Sequence, residues 1–329
     1  MTSSLETGAD DAAFMATALA LGQEARGMTA PNPNVGCVVV ANGAVVGRGA
    51  TRPGGRPHAE AVALGEAGDV SRGATLFTTL EPCAHVSVRG PTCADLIVKA
   101  GVARVCVALQ DPDPRTAGRG LAKMREAGIR VDVGEGAAQA AGSMAGFLTR
   151  QALGRPFVTL KLAISIDGRI ALADGTSRWI TGPEARAHGH LQRARSDAIL
   201  VGRGTFDADA PRLDVRLPGL EHRSPRRLLL TRGAAPEGWG ALAAPGEISG
   251  LSDVNDLLVE GGGQTAAAFL AADLVDRLLI YTAPILLGGD ARPAVGALDL
   301  PDLAAAHGRW RRHESLPLGS DRLDVYERA

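Results

Sequence analysis

His58, Cys83 and Cys93 limit the fold of this chain more than any other feature, because one imidazole and two thiols serve a metal only if separate segments bring them together. Each residue sits at a segment end. His58 follows Pro57 and opens the helical run AEAVAL, with Glu60 two residues further on. GATLFTTL (73–80) reads as a buried strand, so Glu81-Pro82-Cys83 falls at its C-terminal end. Thr92 reads as the N-cap of a helix over 93–100, closed by Gly101. A helix start, a strand end and a second helix start meet in a layered α/β unit, and the positive end of the second helix favours the Cys93 thiolate.

His-x-Glu, then Pro-Cys, then a further Cys is the signature of zinc-dependent deaminases. Zinc on a neutral imidazole and two thiolates keeps its fourth tetrahedral position for water and lowers the pKa of that water to about 7. Glu60 is not a ligand; at the helix start its carboxylate can face that water, take its proton and deliver it to a leaving amine. His-x-Glu alone, or Pro-Cys alone, is a chance match in many chains, so the weight rests on all four residues in order at segment ends. His85 has two readings: a fourth ligand that would make the zinc structural, or a residue facing substrate.

At 329 residues the chain can hold two domains with separate cores, and 45% hydrophobic with 22% charged residues is the balance of a soluble globular protein. A net charge of -1 and only 3% aromatic residues supply neither a basic field nor stacking platforms, which argues against nucleic acid as a partner. No apolar run is long enough for a bilayer and MTSSLETGADD has no signal-peptide regions, so a cytoplasmic protein with no membrane partner is expected. Cys37 and Cys106 lie in apolar strand runs as core residues, and no disulfide is expected.

Residues 11–26 read as an alanine-rich amphipathic helix, TAPNPNVG (29–36) as a turn, and 37–41 and 44–49 as strands about the hairpin pair Asn42-Gly43. Asn32, in the loop at a pocket edge, either hydrogen-bonds a heterocycle or caps its own turn. Strands at 102–109 and 129–133 and helices at 92–100 and 118–127 complete a first α/β domain, 1–148.

PNPNVGCVVV, HAEAVAL, LEPCAH, TCADLI, GVARV and QDPDPRTAGRGLAKMREAGI, in this order, resemble the deaminase domain of the bifunctional riboflavin-biosynthesis enzymes, in which a diaminohydroxyphosphoribosylaminopyrimidine deaminase is fused to a uracil reductase. The resemblance covers nearly all of 10–140. It implies a cytidine-deaminase-like three-layer domain with zinc on His58, Cys83 and Cys93 and with Glu60 as the active residue. PCAHVSVRGPTC departs from the family's PCxHxGRTPPC by one extra residue between the cysteines, which displaces Arg89, the basic residue the resemblance would aim at the substrate phosphate.

From Phe157 a new apolar run starts a second domain, 149–329, in which strands (157–164, 198–202, 227–231, 257–259) alternate with helices (183–195 and one ending at 271). Between the last strand and helix lies Glu260-Gly-Gly-Gly-Gln-Thr-Ala. Glycines between a strand and a helix start either expose N–H groups to an anion or simply make a tight turn, and this run lacks the GxGxxG spacing. KLAISIDGRIA, SRWITGPEAR, DAILVGRGT, DADAPRLDVR, LLVEGGG and LVDRLLIYTAPILLGG resemble the reductase half of the same enzymes, with a dihydrofolate-reductase-like fold. That resemblance implies an NADPH site of Ala163, Trp179, Thr205, Asp209, Arg232, Gly262, Gly263, Gln264, Thr265, Ala266, Ala267 and Ala268. It places Ser177, Arg193, Leu213, Arg216 and Glu260 on the substrate, the two arginines suiting a phosphate. Read without it, each arginine is a solvated surface charge. Residues 231–256 are shorter than in the family, which bears on the adenine end of the cofactor.

The expected protein is a two-step enzyme of riboflavin biosynthesis. It deaminates 2,5-diamino-6-(5-phosphoribosylamino)pyrimidin-4-one on zinc and then reduces the ribosyl side chain to ribityl with NADPH. A homo-oligomer is the expected assembly. The competing readings are another nucleoside or tRNA deaminase fused to an unrelated reductase, and a binding protein whose catalytic halves have decayed.

Overall fold

The computed structural model describes residues 3–85 and 90–329, and the chain divides into two compact units, Met1–Leu153 and Gly154–Ala329. The expected 148/149 boundary falls inside a helix, Ala145–Leu153, that ends the first unit.

The first unit runs α1 (Ser3–Ala25), β1 (Gly36–Ala41), β2 (Ala44–Ala50), α2 (Ala59–Ala67), β3 (Thr75–Thr78), α3 (Cys93–Ala100), β4 (Arg104–Val107), α4 (Arg119–Glu126), β5 (Arg130–Val133), α5 (Ala137–Ser143) and α6 (Ala145–Leu153). Its sheet has the order β2-β1-β3-β4-β5, antiparallel at β2-β1-β3 and parallel from β3 to β5. Asn42 and Gly43 both take positive φ, which suits the hairpin twist between β1 and β2. α2 lies directly on β2, because a Cβ at Gly49 would collide with the Ala59 carbonyl and one at Gly47 with that of Ala63. The two glycines of VVGRGA thus seat the helix that carries His58 and Glu60. β3 and β4 are shorter than their apolar runs, since the residues beyond them peel off into the loops that form the site. Leu76, Phe77, Ile97 and Met124 fill the core, and Cys37 and Cys106 are buried, free thiols within it.

The second unit runs β6 (Phe157–Ser165), β7 (Arg169–Ala171), α7 (Pro183–Ala194), β8 (Ala198–Gly202), α8 (Arg203–Asp209), β9 (Arg226–Leu230), β10 (Gly240–Leu242), β11 (Asp256–Val259), α9 (Gly263–Ala271), β12 (Arg277–Ala283), β13 (Arg292–Pro293), β14 (Trp310–Leu318) and β15 (Asp321–Arg328). Eight strands form one sheet, β10-β9-β8-β11-β6-β12-β15-β14, parallel from β10 to β12 and antiparallel at β15 and β14. Along β6, Leu160 and Leu162 enter the core, while Lys161 and Ala163 share the opposite face. GRGT (202–205) leads from the end of β8 into a short helix, α8. The shortened 231–256 segment still supplies the edge strand β10 and a 3-10 turn at Pro245–Gly250, whose Ile248 is fully buried. Among the described residues no helix is long and apolar enough to cross a membrane.

Candidate active sites

Three elements deliver the metal ligands. His58 is the N-cap of α2, Cys93 is the first residue of α3, and Cys83 lies in the loop after β3. The Thr92 hydroxyl accepts the Asp95 N–H at 3.1 Å and Gly101 closes the helix in the left-handed conformation, so the cap that sets the Cys93 position is fully formed. His58 Nδ1 lies 3.2 Å from Cys93 Sγ and 3.6 Å from Cys83 Sγ, and the Cys93 N–H donates to Cys83 Sγ at 3.3 Å. The three ligand atoms all fall within 4.8 Å of one another. Hydrogen bonding from the Cys93 thiol, helped by His58, pulls the Cys83 thiol down to about 4, and the same bond with burial pushes Cys93 up. The bond to Cys83 in turn raises His58. Two sulfurs and an imidazole gathered around a nascent thiolate are a donor set for a tetrahedral, thiophilic cation.

Glu60 is 3% exposed, its carboxylate lies against the Cys93 thiol, and burial pushes its pKa up. A cavity of about 360 Å³, lined by Arg56, Pro57, His58, Pro91, Cys93 and Leu96 among others, opens beside the ligands. His85 is not in the ligand group; its Nδ1 lies 3.3 Å from Thr116 Oγ1. Arg89 lies outside the described residues.

In the second unit the centre is an ionic cluster. Arg193 of α7 donates through Nε (2.7 Å) and Nη2 (2.9 Å) to the two carboxylate oxygens of Glu260, and through Nη1 to the Asp214 carbonyl at 3.1 Å. Lys161 Nζ lies 3.8 Å from Glu260 and 5.7 Å above the Tyr281 ring. Burial would raise the Glu260 pKa, but the Lys161 and Arg193 charges hold it down at about 2. Next to this cluster the Gly262 N–H donates to Thr205 Oγ1 at 3.1 Å. A Cβ at Gly202 would collide with the Thr265 hydroxyl, so α9 approaches the end of β8 only because residue 202 is glycine. No side chain caps α9, and its first N–H groups are available to a phosphate.

The zinc-binding region of cytidine and deoxycytidylate deaminases matches residues 9–109, and the RibD C-terminal domain matches residues 156–237 and 249–322. The riboflavin biosynthesis protein RibD of Haemophilus influenzae is 38% identical over 96% of this chain and 97% of its own length. The chain belongs to the RibD family. The RibD of Escherichia coli is 40% identical over 89% of this chain and 92% of its own. Among solved structures, Acinetobacter baumannii RibD, at 35% identity, has a TM-score of 0.88 and covers 97% of this chain and 99% of its own. The diaminohydroxyphosphoribosylaminopyrimidine deaminase/5-amino-6-(5-phosphoribosylamino)uracil reductase of Thermotoga maritima, at 29% identity, has a TM-score of 0.85 and the same coverage. As a RibD, the chain is an enzyme with deaminase and reductase activities whose cofactors are zinc and NADPH, and His58, Cys83 and Cys93 fit the zinc.

The other residues singled out in the sequence are placed as follows in this RibD. Asn32 donates through Nδ2 to the Thr29 carbonyl at 3.3 Å, within its own turn. Arg193 and Glu260, both assigned to substrate, are bound to each other, so the bidentate edge of Arg193 faces a carboxylate of the protein. Arg216 is exposed and its Nε reaches His190 at 3.3 Å. The Leu213 side chain packs in the core with Ile199, Val201, Leu229 and Leu258, leaving only its main chain for a ligand. Thr265, Ala266 and Ala267 are likewise buried, Gly262 and Gly263 are half-buried, and Gln264 is exposed. Ala163, Ser177, Thr205 and Asp209 are half-buried, Ala268 is partly buried, and Trp179 and Arg232 are exposed. Lys161 was not legible as a site residue: a lone lysine in FVTLKLAIS reads as a strand's solvent face until Glu260 is seen beside it. Glu81, read only as a strand end, is a buried carboxylate bonded to four backbone N–H groups.

Proposed function

We propose that residues 1–148 deaminate 2,5-diamino-6-(5-phosphoribosylamino)pyrimidin-4-one and residues 149–329 reduce the ribosyl side chain of the product to ribityl. The observation that carries the reading is the convergence of His58, Cys83 and Cys93 beside a buried Glu60, in a chain whose second unit gathers a separate ionic site. Bound zinc supplies a water acidic enough to act as nucleophile near neutral pH. Glu60, against the ligand group and shielded from solvent, takes a proton at its carboxylate oxygen and returns it to the departing amine nitrogen. Pro57, Pro91 and Leu96 line an apolar wall that suits a flat heterocycle, while Arg56 at the rim favours an anionic group.

In the second unit NADPH supplies the hydride. Thr205 fixes the glycine turn through the Gly262 N–H, and the start of α9 takes the pyrophosphate. Glu260, ionised and held by Arg193 and Lys161, is a fixed acceptor for the N–H groups of the pyrimidine, so Arg193 orients Glu260 and the exposed Arg216 takes the substrate phosphate. Asp209, half-buried near the glycine turn's Thr205 helix, either directs protonation or bonds the cofactor. The enzyme works on a small molecule and not on nucleic acid, as its net charge of -1 favours, and acts in the cytoplasm as a homo-oligomer. One assay tests the reading: with the phosphoribosyl diaminopyrimidine as substrate, purified protein releases ammonia and then oxidises NADPH. Ammonia release from cytidine or tRNA, with none from this substrate, would return the function to the other deaminases.

A further inference from the structure

Glu81 stands two residues before the ligand Cys83, is 2% exposed, and touches neither the ligand group nor the cavity beside it. Its carboxylate is spent on backbone. Oε2 accepts from the Asp111 N–H (3.2 Å) and the Gly118 N–H (3.0 Å), and Oε1 accepts from Gly120 (2.9 Å) and Leu121 (3.2 Å). Its own N–H donates to the Leu109 carbonyl at 2.8 Å. The segment from Asp111 to the first turn of α4 is therefore fastened at both its ends to one side chain. The fit is close: a Cβ at Gly120 would collide with the Pro82 carbonyl, so the start of α4 rests on the peptide that leads into Cys83.

Between these anchors the loop is stiffened from within and returns to the Pro-Cys segment at a second point. The Asp111 carboxylate accepts the Asp113 N–H at 2.9 Å, and Asp113 accepts the Arg115 N–H at 2.9 Å. Thr116, fully buried, presents Oγ1 to His85 Nδ1 at 3.3 Å. Cys83 thus lies between two attachments of the same loop, Glu81 before it and His85 after it. A packing role alone would be served by an apolar residue; burying a carboxylate is worth its desolvation only where four N–H groups must be held in one geometry.

We propose that Glu81 is a positioning residue for deamination: it anchors the 111–121 loop beside Cys83 so that Thr116 holds the His85 imidazole where the pyrimidine substrate meets it. The inference rests on the reading of the first unit as the deaminase. Glu81→Gln is the sharp variant. Whichever way its amide turns, the NH2 faces two backbone N–H donors, so two of the four bonds are lost at constant size. A contact made equally to substrate and transition state moves KM, so the variant should keep its zinc and its kcat for ammonia release within about twofold while KM rises roughly tenfold. Thr116→Val should reproduce the rise in KM from the other end of the clamp, and Thr116→Ser should restore it. A wild-type KM in zinc-loaded Glu81→Gln overturns the proposal whatever happens to the melting temperature, and so does loss of zinc, which would make Glu81 part of the metal scaffold. Should Glu81→Gln fail to fold, a wild-type KM in Thr116→Val overturns it instead. Failure of the wild-type protein itself to deaminate this substrate would count against the functional reading, separately from Glu81.

Discussion

Glu60 is buried and Glu260 largely so, yet the two units drive them in opposite directions. Around Glu60 the neighbours are an imidazole and two thiols, and burial pushes its pKa up. Around Glu260 burial acts the same way, but Arg193 and Lys161 override it and hold the group at about 2. One site keeps a carboxylate that can accept a proton and hand it on; the other keeps a carboxylate whose charge is permanent. Desolvation is common to both, so the difference lies in whether fixed cations accompany the group into the interior.

The comparison breaks first at Glu60. Glu60→Gln keeps every ligand and loses the proton carrier, so deamination should fall on the order of 10³-fold with zinc retained, while already deaminated substrate is still reduced at the normal rate. Comparable ammonia release by this variant would leave Glu60 with no more than a structural part.

At Glu260 the pH dependence of stability separates a permanent charge from a mobile one. Its pKa is depressed from 4.5 to about 2, so its contribution, on the order of 3 kcal/mol, is complete above pH 4.5 and is lost as pH falls toward 2. All three tryptophans, Trp179, Trp239 and Trp310, lie in the second unit, so their fluorescence follows its unfolding alone. The slope of stability against pH over that window should flatten in Glu260→Gln; an unchanged slope would mean that other carboxylates carry it.

Arg193→Ala removes one of the two cations and leaves a buried charge half-compensated. Reduction should lose roughly ten- to a hundredfold in kcat/KM, the scale of a buried charged hydrogen bond, with ammonia release unaltered. If KM for substrate rises while the Glu260-linked stability stays intact, Arg193 serves the phosphate after all. The smallest effect belongs to the glycine turn: Thr205→Ala deletes the acceptor of the Gly262 N–H, and the Kd for NADPH, measured by titration, should rise by about three- to tenfold.

The two sites also differ in how much of them could be read beforehand. His58, Cys83 and Cys93 were legible because a metal site made of rare ligand types at segment ends is a local pattern: each residue is marked by its immediate neighbours, the Thr92 cap and the Pro57 and Pro82 turns. The strands of the first sheet and the helices α3, α4 and α7 followed from the same kind of signal, while β14 and β15 had no motif to mark them and went unread. His85 and Glu81 lay inside the legible stretch, but their partners, Thr116 and the backbone of 111–121, are a loop away.

Sequence alone, then, determined the three residues that fit zinc and the α/β plan, since these depend on residue identity within a turn or two of chain. Tertiary structure decided that Arg193 belongs to Glu260, that Lys161 completes the pair and that Leu213 turns into the core. Residues 161, 193 and 260 meet only because β11 pairs with β6 and places Glu260, just past its end, within reach of Lys161 and α7. The charge state of a buried glutamate is set by distances of a few ångströms to cations remote in sequence, through an attraction that strengthens as water is excluded, and no spacing along the chain encodes it.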